Sequence, residues 1–234
     1  MALGKWFQSV KALIRFIVKG HDMTPKSIDV HIEKLITVLV PGGTPVYLDV
    51  EPAPFAEVKE CFPAVAEQIR RHGGTQVLGW QLWQTKFLVE AEFHAVWCAP
   101  DGSLHDITPK QLRTAKILFL PDPDTVYQGA NIDNVRLNST GNAICDDFIK
   151  ACEAVFYLEN KGERAHQREV ELLGKEAVLH GFLVKMRAGT NEMLRDGLTE
   201  KSPCPCDSQR TYEECHGPLL KKMFAELTSE VASE

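Results

Sequence analysis

The stretch Phe87-Leu-Val-Glu-Ala-Glu-Phe-His94-Ala-Val-Trp97-Cys98-Ala-Pro-Asp-Gly102-Ser-Leu-His-Asp106-Ile-Thr108 reads as two strands joined by a tight turn. Aromatic and β-branched residues carry the first strand from Phe87 to Cys98. Ala99-Pro-Asp-Gly102 combines a proline that fixes φ with a glycine that accepts a left-handed backbone, and Leu104 to Thr108 returns. A hairpin centred on that turn sets His94 opposite or diagonal to Asp106, close enough for a carboxylate to orient an imidazole. Strand patterns also occupy Val46 to Val50, Thr75 to Trp83 and Lys116 to Leu120, which together predict an antiparallel sheet.

Helical patterns surround these strands. Thr24-Pro25 offers a capping hydroxyl before a first-turn proline, with Ile28, Ile32, Leu35, Ile36 and Leu39 as a buried stripe and Pro41-Gly42-Gly43 as the stop. A second helix is expected to begin near Cys61, where Pro63 suits a first turn and Gly73-Gly74 ends it. Ala143 to Glu159, Arg164 to Leu194 and Pro218 to Val231 are also expected as helices, with a long irregular loop over Thr125 to Asn142. Residues 5–19 form a basic amphipathic pattern, with Trp6, Val10, Leu13, Ile14, Ile17 and Val18 on one face and Lys5, Lys11, Arg15 and Lys19 on the other. Docking on the chain's own core is its expected role, and contact with a membrane surface is the alternative. The fold class is therefore α+β. The expected divisions are N-terminal helices over 1–43, an α+β core over 44–142, a helical region over 143–200, and a cysteine-rich knuckle with a terminal helix over 201–234.

With 234 residues, 44% of them hydrophobic, the chain can bury a sizeable core. A net charge of -6 argues against specific nucleic-acid binding, which needs clustered cations to neutralise phosphates. No transmembrane segment is expected, because Lys11, Arg15 and Lys19 interrupt the apolar residues near the start. Seven cysteines are too few for a disulfide scaffold at this length, and the number is odd. That usage suits a reducing cytoplasmic compartment.

Four of the metal-binding residue types crowd into one loop: Cys204, Cys206, Cys215 and His216, within Ser202 to Gly217. Three thiols and an imidazole are the ligand set of a closed tetrahedral site, so the expected cofactor is a structural zinc ion with no open catalytic position. The pattern Cys-x-Cys, eight residues, then Cys-His-Gly, with Ser208 and Tyr212 between, resembles the SEC-C motif, the zinc-binding tail of the SecA translocase that recurs on unrelated bacterial proteins. In that resemblance the metal ligands fall on these same four residues. Asp207, Glu213 and Glu214 stand where the family is usually Gly-rich and basic, so partners that read positive charge are not implied.

Cys61 at a helix start, followed by His94 and Asp106 on paired strands, supplies a thiol near a helix dipole, a base, and a carboxylate to fix the base. That chain order, over roughly Pro54 to Pro109, resembles the papain-like and transglutaminase-like cysteine enzymes. The resemblance implies an antiparallel sheet with a helix-borne nucleophile Cys61, general base His94 and orienting acid Asp106, acting on an amide, thioester or isopeptide bond of a protein or peptide. Cys61 lacks the preceding Gln of a papain-type oxyanion site, so its own backbone N–H with Trp80, Gln81 or Asn131 would serve. The alternative function is a non-enzymatic zinc-binding adaptor for a protein partner. Cys98 is too far along one strand from His94 to be the nucleophile, and Cys145 and Cys152 read as core residues.

Overall fold

The computed structural model describes residues 23–111, 114–167, 169–206 and 208–231. The helix expected over 5–19 lies outside the described residues. The chain is a mixed α+β protein that divides into two compact units. One takes the described residues up to Gln84 together with Ala91–Val126, and the other takes Thr85–Glu90 and the residues from Tyr127 onward.

The first unit is built on β1 (Val46–Asp49), β2 (Thr75–Gln84), β3 (Leu88–Cys98), β4 (Leu104–His105) and β5 (Lys116–Pro121), in the order β1-β5-β2-β3-β4. β5 is central because its middle is a continuous apolar run: Ile117, Leu118, Phe119 and Leu120 are all fully buried. It pairs antiparallel with β1 (Val46 opposite Phe119) and with β2 (Trp80 opposite Leu120). β3 and β4 form the expected hairpin, with Trp97 opposite His105 and Cys98 opposite Leu104. The turn is centred on Asp101, one residue later than the symmetric reading, so His94 lies diagonal to Asp106. Beyond β4 the chain turns back to β1. Val50 and Asp106 make a parallel bridge, Glu51 N–H donates to the Asp106 carbonyl at 2.8 Å, and Ala53 N–H donates to Ile107 at 3.0 Å. These bonds nearly close the sheet.

Two helices belong to this unit. α1 (Val30–Leu39) starts later than Thr24-Pro25 suggests, because Asp29 is the cap, accepting from the His31 and Ile32 backbone N–H groups. Thr24 instead donates to the Lys116 carbonyl, and the Pro25 carbonyl accepts from the Tyr47 hydroxyl. α2 (Cys61–His72) begins at Cys61 as expected. It buries Cys61, Ala64 and Val65 against Ala95 and Ile107.

The second unit is mainly helical: α3 (Ala143–Asn160), a 3-10 turn over Gly162–His166, α4 (Gly174–Arg195) and α5 (His216–Val231). α4 is unbroken at Gly181 and Gly189 but starts ten residues later than expected, since Gly162–His166 coils tightly before it. A short strand, β6 (Val135–Asn138), lies where a loop is expected, and Ser139 just past it donates its N–H to the Phe87 carbonyl of the same unit at 3.1 Å. Its polar residues hide the strand pattern: Arg136 is ion-paired with Glu90 at 2.8 Å and with Asp133 at 3.1 Å. Among the described residues, no helix is long and apolar enough to cross a membrane.

Gly79 marks the closest approach in the sheet. A Cβ there would run into the Leu120 carbonyl oxygen and lie 2.7 Å from the Phe119 ring. Gly79→Ala is expected to lower stability by about 1–3 kcal/mol through overpacking, measurable as a reduced urea midpoint at constant slope.

Candidate functional sites

The loop after α4 folds on itself before α5 begins. Pro203 bridges Thr211, Cys204 N–H donates to the Arg210 carbonyl at 2.8 Å, and Tyr212 N–H donates to Ser202 at 3.0 Å. This miniature hairpin carries Cys204 and Cys206. Cys215 and His216 follow where Cys215 and Gly217 N–H groups turn back onto the Tyr212 carbonyl. The four donor atoms lie within 4.8 Å of one another. Cys206 and Cys215 sulfurs are 3.5 Å apart, and His216 Nδ1 is 2.9 Å from Cys204 and 3.6 Å from Cys215.

Tetrahedral zinc with ordinary Zn–S and Zn–N bonds needs ligand atoms about 3.5–3.8 Å apart. The donor set fits that ion, and so do the spacings of Cys215 from Cys206 and from His216, whereas Cys204 and His216 are closer together and would move apart to admit it; all seven cysteines are free thiols. Burial pushes the Cys204 thiol up to about 11, whereas the Ser208 hydroxyl draws Cys206 down to about 7. Burial, then the Arg210 charge, lower His216, favouring the neutral imidazole that a metal requires.

The SEC-C motif model matches residues 201–218. The SEC-C motif thus coincides with the clustered thiols and imidazole, and together they indicate a zinc-binding module. No curated protein and no solved structure matches the chain. The papain-like resemblance of the first unit therefore rests on its residues alone.

The SEC-C motif is anchored to its own unit by Tyr212, which is 2% exposed and donates its hydroxyl to Asp147 of α3 at 2.9 Å. Burial raises the Asp147 carboxyl above its ordinary value, against the Tyr212 bond and the charges of Lys221 and Lys150.

In the first unit, Cys61, His94 and Asp106 come together. His94 Nε2 is 3.0 Å from Asp106 Oδ1, and the Cys61 side chain lies close enough to influence the ring's protonation. The carboxylate can only accept, so Nε2 carries the hydrogen that faces Asp106. Lys110, unforeseen in the sequence, pairs with Asp106 Oδ2 at 2.6 Å and approaches His94 Nε2 to 3.2 Å. Burial and the Lys110 charge disfavour the imidazolium, but the Asp106 bond, the Cys61 side chain and the Asp106 charge outweigh them and hold the ring above its ordinary value. All three groups are nearly covered: Cys61 is 6% exposed, His94 5% and Asp106 0%.

The candidate oxyanion donors separate. Trp80 Nε1–H is already engaged by Asp122 at 3.0 Å. Asn131 belongs to the second unit, where it bonds Asn160 and Ala165. Gln81 remains: its Oε1 accepts from Lys110 at 2.9 Å, while its buried Nε2 has no partner. Cys145 and Cys152 are core thiols, pushed by burial up to about 12 and about 11. A separate cleft of about 640 Å³ in the first unit is lined in part by Pro54, Phe55, Arg71, Trp97 and His105.

Three outcomes are expected. The purified protein should carry one equivalent of zinc by elemental analysis, and Cys204→Ser should abolish it; a metal-free wild type would contradict the assignment. A carboxyl whose value is raised on folding stabilises fully below the usual carboxylate range, and that contribution drains away as pH climbs through the folded value. Asp147→Asn, which keeps an acceptor for Tyr212, should therefore flatten the loss of stability between acidic and neutral pH. Tyr212→Phe should cost about 1–3 kcal/mol, both read by urea unfolding.

Proposed function

We propose that the chain is a cysteine-dependent hydrolase or acyltransferase, acting on an amide, thioester or isopeptide bond of a protein or peptide, with a C-terminal knuckle closed by structural zinc. What supports this reading is the 3.0 Å bond between His94 and Asp106, with the Cys61 side chain close to the same ring. The first unit would then be a papain-like or transglutaminase-like core, and seven free thiols suit a reducing cytoplasm.

The chemistry follows from the roles these groups can take. His94 Nδ1 accepts the Cys61 proton as the sulfur attacks the carbonyl carbon, and Asp106 holds the imidazolium that forms. The tetrahedral oxyanion collapses to a thioester as the leaving amine or thiol takes the proton from His94. Water, or an acceptor amine, then attacks the thioester with His94 as base and restores the thiol. Zinc takes no part in these steps, since its four ligands close its coordination.

The adaptor reading is favoured by one observation, the near-complete covering of Cys61 and His94. In that reading the group is a buried structural network and the knuckle docks a protein partner. Iodoacetamide at near-neutral pH separates the two. Cys61 should be alkylated at least tenfold faster than Cys98, Cys145 or Cys152 in peptide mapping, and His94→Asn should remove the difference. Uniformly slow labelling would favour the adaptor.

A further inference from the structure

Lys110 has no part in the sequence pattern that singles out Cys61, His94 and Asp106, yet its side chain is only 9% exposed and touches two members of that network. Burying an ammonium is costly unless its charge and its donors are met. The charge is met by the ion pair with Asp106 Oδ2 at 2.6 Å, and a donor by Gln81 Oε1 at 2.9 Å. The opposite carboxylate oxygen, Oδ1, accepts from His94 Nε2 at 3.0 Å and from the Thr108 backbone N–H at 3.2 Å.

We propose that Lys110 is a positioning residue: it clamps the Asp106 carboxylate and shares its charge, so that the buried His94 ring can release a proton as well as take one. Its purpose rests on the acyl-transfer reading, whereas its geometry does not. A fully buried carboxylate facing the imidazole alone would hold it as a permanent imidazolium. Such a ring could not accept the Cys61 proton. With an ammonium 3.2 Å from Nε2, a second positive charge on the ring is opposed. The groups that face His94 are the Cys61 thiol from α2, Asp106 and Lys110 from the segment after β4, and the Phe119 ring of β5 at 6.4 Å. Among these Lys110 is the one cation. Gln81 of β2, 2% exposed, fixes that cation in turn.

The test is a pH titration of the His94 ring by NMR in wild type, Lys110→Met and Lys110→Arg, alongside the rate of Cys61 alkylation. Lys110→Met should raise the midpoint by about one pH unit or more, a tenfold tighter hold on the proton, and shift the alkylation profile with it. Lys110→Arg should restore both toward wild type, as a space-filling role would not require. Lys110→Gln, which keeps a donor but no charge, serves if the Met variant does not fold. An unmoved midpoint in a folded neutral variant overturns the proposal. If wild-type Cys61 proves no faster than Cys98 while the midpoint still moves, the acyl-transfer reading fails and the role of Lys110 stands.

Discussion

The Asp106 carboxylate is the constraint on which the first unit turns. It is wholly buried, and a charge in that position persists only where donors surround it. Two stretches of chain meet it: the His94 ring comes from β3, while the Lys110 ammonium and the Thr108 backbone N–H come from the segment just past Asp106 itself. The residue's main chain is equally committed, since its carbonyl receives Glu51 and its bridge to Val50 nearly closes the sheet. One residue thus fixes both the end of the sheet and the orientation of the imidazole. Removing the carboxylate would strand an ammonium in the interior, so sheet geometry and site chemistry are not separable here.

The second unit solves a different problem. The SEC-C loop has little apolar mass of its own, and four ligands for one ion can close it without a core. Tyr212 joins that closure to the helices by burying its ring while its hydroxyl reaches Asp147. Leu220, Phe224 and Leu227 of α5 continue the same packed cluster, so the metal loop and the terminal helix share one anchorage.

Legibility in the sequence followed distance along the chain. The knuckle was readable because its ligands are close neighbours, and the His94–Asp106 pair because a turn places them nearly symmetrically. Cys61 at its helix start was readable from Pro63 and the glycines that end the helix. What stayed hidden depends on partners far away. Thr24 looks like a helix cap, but its hydroxyl is drawn to Lys116 in a distant strand. Val135–Asn138 alternates over only four residues amid Asn and Gly that read as loop, and the partners of Arg136 include Glu90, far back in the chain. Lys110 follows a proline and reads as loop, and only Gln81 and Asp106 give it a role.

The pairing of β1 with β5 has a consequence for how the chain is made. Val46 meets Phe119, so β1 emerges from a ribosome about 70 residues before its partner exists. Until then its edge stays open, and no sheet or buried carboxylate can be complete. Vectorial synthesis therefore leaves the first unit dependent on late, long-range closure, the slow kind of folding step. The knuckle, with all its ligands in one short loop, can close as soon as that loop is released.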